Sequence, residues 1–436
     1  MKIAHISILS AFVADTYLLA SHWVYDEEQL QKLPINWDNL NDAQAMWHEG
    51  KKAGDFTHYG DQTLFLLEYL ATHSNFDKEE FYHFWSEKMN SYKGYIDGAT
   101  RNALETMGSQ NNDLSICGRF TPLLLVSTTK EEFLENVTAL TEITHNTELA
   151  KTTTAFFAEL LWESRESQNI QESIQKLKSS YPLLTTWIEA GVASKNNDTF
   201  TTIRDFGPAC GIDGGFAGAI HLLSLEDDFS TTMIKNAKAG GDSSARGMIV
   251  TAILATQDDF LMNEKWLKGC NTKAEIEGYL QNAEVIEQFN IFDKDKYSLI
   301  ISSTSEENEP LTNYAPFVKL NEDYYVSVSS NLPHFTNMLE TKKAHILIIE
   351  DEASAGHIYA RKRLYFSASC ELENDSEKIF KLFDARYGDA LSFLREMKDF
   401  KIIKLTPKER SLVLGFGAAY KMGTDGKLRN KSISHK

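Results

Sequence analysis

Two short polar segments carry the chemistry-bearing residues of the first half of the chain. They are Gly54–Thr63 (GDFTHYGDQT) and Gly240–Gly247 (GGDSSARG). Each places an aspartate, Asp61 or Asp242, where an apolar helix is expected to begin. A carboxylate there caps free backbone N–H groups. Two such segments brought face to face also offer carboxylate and hydroxyl oxygens to a hard divalent cation. The second half carries different chemistry. Ile348-Ile349-Glu350-Asp351-Glu352 is followed after a short loop by Tyr359-Ala360-Arg361-Lys362-Arg363-Leu364. A strand end bearing Arg361, Lys362 and Arg363 is a candidate anion site. Later come Gly415–Tyr420 (GFGAAY) and a tail ending Ser434-His435-Lys436. That tail holds five basic residues (Lys421, Lys427, Arg429, Lys431, Lys436) against one acid, Asp425, in an otherwise acidic chain.

The elements that position these residues differ between the halves. Up to about residue 275 the apolar residues recur at helical spacing, as in Leu64–Leu70, Phe133–Ile143, Ala155–Trp162 and Met248–Ala255. Met1–Leu19 reads as an amphipathic first helix rather than a signal peptide, because Asp15 interrupts the apolar run. Beyond about Asn282 the pattern turns to strands: Tyr297–Ser302, Tyr324–Ser329, His345–Ile349, Leu364–Leu372 and Phe400–Leu405. Asn321-Glu322-Asp323 is a hairpin-turn signal. Short helices are expected at Glu377–Phe383 and Asp389–Met397, and Glu264–Asn282 is the expected connection. His334 and His345 read as structural residues on or beside strands.

Composition narrows the function classes. The 436 residues carry 62 Asp+Glu against 44 Lys+Arg, a formal net charge of −18. This opposes a nucleic-acid or anionic-membrane binder. A hydrophobic content of 42% supplies ample core and excludes a mainly disordered chain. No apolar run reaches the roughly 18 residues of a membrane span. The four cysteines lie far apart with no zinc-type spacing, pointing to a reduced cytosol.

The order of the first-half segments resembles the ADP-ribosylglycohydrolase family, the all-helical fold of DraG and its relatives. Ala14-Asp15 resembles its opening Gly-Asp-Ala segment, and Thr144-His145 its Thr-His motif. Gly60-Asp61-Gln62-Thr63 falls where the family has Thr-Asp-Asp-Thr, and Gly240–Ala245 where it has Gly-Gly-Asp-Thr-Asp-Thr. The resemblance implies two divalent metals held by those two motifs. This chain keeps Asp61 and Asp242 but has Gly60, Gln62, Ser244 and Ala245 where the others fall. Losing two ligand charges opposes a dinuclear centre, so one Mg²⁺ or Mn²⁺ at Asp61 and Asp242, or none, is expected. The resemblance also implies a cleft gathering His22, Trp23, Tyr25, Asp26, His58, Tyr59, Asp61, His145, Asp242 and Arg246. There Asp61 or Asp242 would activate water, and Arg246 would replace a lost cation as a phosphate clamp.

The second-half segments resemble the split-barrel flavin-binding superfamily that includes pyridoxamine-phosphate oxidases, and more narrowly its HugZ-type haem oxygenases. The resemblance implies a homodimer with haem near the subunit interface. It implies an iron ligand in the C-terminal tail, where His435 fits, with His357 as the reserve. Arg361 or Arg363 would meet the propionates, and FMN is the rival cofactor.

The expected architecture is therefore an all-α ADP-ribosylglycohydrolase-like domain (1–275) followed by an α+β split β-barrel (283–436). The expected function is cytoplasmic haem binding with oxidative haem degradation. The alternatives are hydrolytic release of ADP-ribose or a related nucleotide-sugar group, non-catalytic haem storage or sensing, and flavin-dependent redox chemistry.

Overall fold

The structure, a computed structural model, describes residues 3–430. His435 lies outside the described residues. The chain forms two compact units, one built of residues up to Gln281 apart from Thr72–Ser74, the other mainly of residues from Asn282 onward.

The first unit is helical throughout. The apolar periodicities fall in helices His58–Leu70, Lys130–Thr144, Glu148–Ser167 and Ser243–Leu254. The opening helix, Ile3–Leu18, departs from the amphipathic expectation. Every side chain from Ser7 to Leu18 is buried. Apolar residues occupy all its faces, and a helix apolar all round belongs in an interior. It packs against Ser243–Leu254, which is buried from Ser243 to Ile253. The two exchange polar bonds: Ser10 Oγ donates to the Thr251 carbonyl at 3.1 Å, and Thr251 Oγ1 donates to the Ser10 carbonyl at 3.2 Å. Among the described residues no helix is long and apolar enough to cross a membrane.

The expected connection at Glu264–Asn282 is itself helical, as Glu264–Gly269 and Lys273–Ile291. Ile276 and Leu280 belong to a core cluster of the first unit; Val285, Ile286 and Phe289 belong to that of the second.

The second unit is an antiparallel barrel. Its strands are β1 (Ser298–Thr304), β2 (Pro310–Leu320), β3 (Asp323–Ser329), β4 (Lys343–Ile349), β5 (Arg363–Leu372), β6 (Phe400–Gly415), β7 (Ala418–Met422) and β8 (Leu428–Asn430). The order β3-β2-β1-β4-β5-β6 closes through a β3–β6 pairing, and β7 and β8 extend from β6. Closure removes the free edges of the six-stranded ring. β6 is long enough to serve both roles. Phe400–Leu405 pairs with β3, and Arg410–Gly415 pairs with β7. Between them Pro407 sits where the β5–β6 register shifts, the place a strand proline is tolerated. Leu299, Ile301, Phe317, Tyr324, Val326, Ile346, Ile348, Leu364, Phe366, Ile403 and Leu405 fill the interior. Asn321, at φ 55°, makes the β2–β3 turn.

Candidate functional site

The cleft of the helical unit is assembled by backbone pairing. Gly240 and Gly241 adopt φ of 68° and 61°, a left-handed path that suits glycine. The turn then pairs with the loop after the opening helix. Trp23 N donates to the Gly241 carbonyl at 2.7 Å and Gly241 N to the Val24 carbonyl at 2.9 Å. This brings His22 beside Asp242: His22 Nδ1 lies 3.3 Å from Asp242 Oδ1. Asp242 caps helix Ser243–Leu254 by accepting the Ala245 N–H at 3.4 Å, and Tyr59 Oη donates to its other oxygen at 3.3 Å. Burial pushes the Asp242 carboxyl up, against the pull of the Arg246 charge.

Asp15, from the buried opening helix, is the second carboxylate of this layer. It accepts Thr57 N at 2.8 Å, Thr57 Oγ1 at 2.6 Å, and the Ser244 hydroxyl. Burial raises its pKa against these bonds. Gly60 makes room for it, because a Cβ there would overlap Asp15 Oδ2 and stand 2.8 Å from Phe56 Cβ.

Asp61 points to a different neighbourhood. Lys51 Nζ sits 2.5 Å from Asp61 Oδ2, and Tyr92 Oη donates to the same oxygen at 2.5 Å. A lysine thus stands where a cation is expected. Gln62, at the position of the missing acid, ties helices together. It donates to Thr100 Oγ1 at 3.1 Å and accepts from Trp85 Nε1 at 3.1 Å.

Arg246 has a different task from the phosphate clamp anticipated for it. It is fully buried. Its guanidinium is spent inside the fold, on Asn236 Oδ1 at 3.0 Å and on the Pro208 and Gly240 carbonyls at 3.3 and 2.6 Å. Asp26 is an exposed cap, accepting Gln29 N at 2.7 Å. Tyr25 Oη meets Cys210 Sγ at 3.5 Å. His145 is buried beside Thr144 Oγ1 at 2.8 Å, and burial with the Arg119 charge lowers its pKa to about 3.

His22, Trp23, His58 and Tyr59 do converge, around a histidine that the sequence did not single out. His48 rides on the long segment between Leu33 and Thr57. Its Nε2 is 3.0 Å from His58 Nδ1, and its ring lies 5.2 Å from that of His22. Trp23, at φ 62°, has its ring 4.9 Å from both His22 and His58. Burial drives the His22 pKa well down and that of His48 to about 2, so both rings are neutral at pH 7. Behind His58 stands Asp97, 3.4 Å from Nε2. Asp113 is a further carboxyl at this site, pushed up to about 6 by burial and then by Asp242 and Asp97. His48, Lys51, Asp97 and Asp113 lie outside the two motif segments or at their edge. They carried no signal beyond being polar residues in loops.

In the barrel unit the candidates gather on the segment between β4 and β5. Arg361 is a clamp for this segment: Nε and Nη2 donate to the Glu350 carbonyl at 2.8 and 2.5 Å, and Nη1 to Glu352 Oε1 at 2.9 Å. Arg363 Nη1 donates to the Arg361 carbonyl at 3.0 Å. His357 Nδ1 accepts the Tyr359 N–H at 3.2 Å, which puts the proton of its neutral ring on Nε2. Its ring lies 5.2 Å from that of Phe416, on the β6–β7 turn. Ile358, Tyr359 and Phe416 are 57%, 77% and 70% exposed, an apolar surface beside an imidazole and two guanidinium groups.

A helical cleft lined by capping carboxylates, followed in the chain by a closed antiparallel barrel, defines a fusion of an ADP-ribosylglycohydrolase fold with a split-barrel domain. The ADP-ribosylglycohydrolase family profile matches residues 4–292, and the chain belongs to that family. Over 138 residues it is 33% identical to the heme oxygenase HutZ of Vibrio cholerae serotype O1, covering 31% of this chain and 78% of HutZ. It is 23% identical over 286 residues to crystallin J1A of Tripedalia cystophora, covering 58% of this chain and 87% of the crystallin. Among solved structures it is similar to Campylobacter jejuni ChuZ, with 24% identity, 40% and 75% coverage and a TM-score of 0.33.

Proposed function

We propose that the barrel unit binds haem and supports its oxidative degradation with O₂ and an external reductant. The carrying observation is the 33% identity to a heme oxygenase over 138 residues. The residues of the β4–β5 segment suit haem in kind. Tyr359, Ile358 and Phe416 offer exposed apolar surface for a porphyrin face, and Arg363 offers a guanidinium for a propionate. Arg361 fixes the segment that carries Ile358 and Tyr359. The family resemblance points to the tail histidine, His435, as the iron ligand, with His357 as the reserve, and to a homodimer with the haem near its interface. Bound haem would supply the redox chemistry itself.

Titrating the purified protein with hemin tests this. The expected result is a saturable Soret shift, weakened in His435→Ala and bleached when ascorbate is added in air. A flat titration would overturn haem binding. A stable Soret band under ascorbate would leave haem storage in place of degradation, and a yellow, flavin-loaded protein would replace haem with FMN.

The family match favours a second reading for the helical unit: hydrolysis of a glycosidic bond to ADP-ribose or a related nucleotide sugar, at Asp242. The Lys51–Asp61 pair argues against a dinuclear metal centre there. Asp113, its carboxyl pushed up to about 6 by burial and by Asp242, is a second candidate base. This reading expects ADP-ribose release that disappears in Asp242→Ala. No release from any ADP-ribosylated substrate, with or without Mg²⁺ or Mn²⁺, would remove it.

A further inference from the structure

Three imidazoles meet in the interior of the helical unit with few hydrogen bonds to account for them. His22, His48 and His58 are 0%, 2% and 0% exposed. They arrive from three segments: the loop after the opening helix, the long segment before Thr57, and the first turn of helix His58–Leu70. One ring nitrogen from each lies within 4.8 Å of those of the other two. A single hydrogen bond joins them, between His48 Nε2 and His58 Nδ1. Of the remaining nitrogens, His22 Nε2 and His48 Nδ1 have no polar partner, and His22 Nδ1 and His58 Nε2 face only a carboxylate. Each unsatisfied buried polar atom costs about 1–3 kcal/mol. A core built only for packing does not collect them on three adjoining rings.

Two carboxylates stand behind the rings. Asp242 Oδ1 is 3.3 Å from His22 Nδ1, and Asp97 Oδ2 is 3.4 Å from His58 Nε2. Metal-bound histidines typically direct one nitrogen to the ion and the other toward a carboxylate, carbonyl or water. Here His58 offers Nδ1 to the cluster while Nε2 faces Asp97.

We propose that His22, His48 and His58 form a site for a divalent transition metal that favours nitrogen ligands, with Zn²⁺ the best-suited ion. Neutral imidazoles suit Zn²⁺ and its late first-row neighbours, whereas Mg²⁺ seeks oxygen. Bonds of about 2.0–2.1 Å around a tetrahedral ion hold ligand atoms about 3.3 Å apart. Side-chain adjustments of about 1 Å close the observed set to that spacing. Asp97 and Asp242 balance the two charges of the ion. Three protein ligands leave the fourth position for water or a substrate oxygen, the arrangement of catalytic rather than structural zinc. The wall is aromatic. Trp23 holds a left-handed backbone against the cluster, and Trp47, 40% exposed, packs edge-on to it at 5.5 Å. For a bulky residue such strain persists only where the surroundings hold it, commonly at a functional site. The donors are not the motif oxygens through which the family resemblance implies metal binding.

The test uses the full chain, stripped with a chelator and titrated with Zn²⁺ against a chromophoric competitor, with Co²⁺ as an optical probe. One tight equivalent and the visible bands of four-coordinate cobalt are expected. His48→Ala, on a single 3-10 turn outside the main helices, should abolish the cobalt bands. Asp97→Asn should weaken Zn²⁺ about 10–100-fold, while the asparagine still caps the helix that Asp97 begins. Far-UV circular dichroism confirms that both variants fold. Failure to bind Zn²⁺, or binding of equal affinity in wild type, His48→Ala and Asp97→Asn, would overturn the site.

Discussion

A methyl group added at Gly60 tests how the cleft is built. Gly60 lies in the first turn of helix His58–Leu70. There alanine would ordinarily stabilise by about 0.5–1 kcal/mol relative to glycine. At this position the new Cβ meets Asp15 Oδ2 and two atoms of Phe56, the latter at 2.8 Å. Asp15 cannot yield freely, because its carboxylate accepts two bonds from Thr57 and one from Ser244. Hydrogen bonds to a charged group are worth about 1.5–3 kcal/mol each. Weakening the set by half therefore costs about 3 kcal/mol, and the propensity gain reduces the net loss to about 2–3 kcal/mol. Urea unfolding, followed by far-UV circular dichroism, should show this as a lower midpoint for Gly60→Ala at unchanged slope. Repeating the substitution in Asp15→Ala should shrink the loss by more than about 1 kcal/mol, a coupling typical of residues in contact. A neutral or stabilising Gly60→Ala would refute the close-approach argument. An equal loss in both backgrounds would move the strain from Asp15 to Phe56.

Three further outcomes are expected. Lys51→Met should lower the unfolding free energy by about 1 kcal/mol, since its ion pair with Asp61 is only about one-fifth exposed, and Lys51→Arg should recover most of it; a Met variant as stable as wild type would show that the pair contributes nothing. His145 has a depressed pKa of about 3, so its neutral form stabilises the fold above the ordinary histidine value and loses that contribution as pH falls through about 6.5. The stability difference between wild type and His145→Gln should shift in favour of the variant by about 1.4 kcal/mol between about pH 7.5 and pH 5.5, and a pH-independent difference would contradict this. Ile346→Ala, in the barrel interior, should cost about 2–5 kcal/mol in the unfolding of that unit; a loss below about 1 kcal/mol would mean that the barrel collapses around the cavity.

The halves differed in how much of them could be read from sequence. The helical periods and five of the strands were visible because one or two faces of each carry apolar side chains at a fixed spacing. β2 was not. Its run Pro310–Leu320 mixes apolar and polar residues and buries side chains only from Ala315 onward, so no clean alternation of residue type marks it. β7 and β8 are short and hide within a basic, glycine-bearing tail. The opening helix is legible as a helix, but its burial on every side is not. Ser10, Asp15 and Thr16 are polar yet buried, each bonded inside the core to a partner far along the chain. The site was legible only where residues cluster in sequence. Asp61 and Asp242 announce themselves as helix caps. Lys51 and His48 sit three residues apart in an irregular segment, and nothing short of the folded path shows that one reaches Asp61 and the other His58.

The altered motif is not a site left to decay. Decay would strand polar atoms at the positions where the resemblance implies lost ligands. Instead Gly60 admits Asp15, Gln62 bonds Thr100 and Trp85, Ser244 donates to Asp15, and Ala245 presents its N–H to Asp242. Lys51 supplies at Asp61 the positive charge that an ion would bring. Among the unpaired buried polar atoms of the described residues, those on His22, His48 and His58 adjoin one another. Nitrogen donors prefer a softer ion than carboxylates do. On the site proposed above, the cleft would suit a cation held by imidazole rather than by carboxylate oxygen, with Asp242 both capping its helix and standing behind His22.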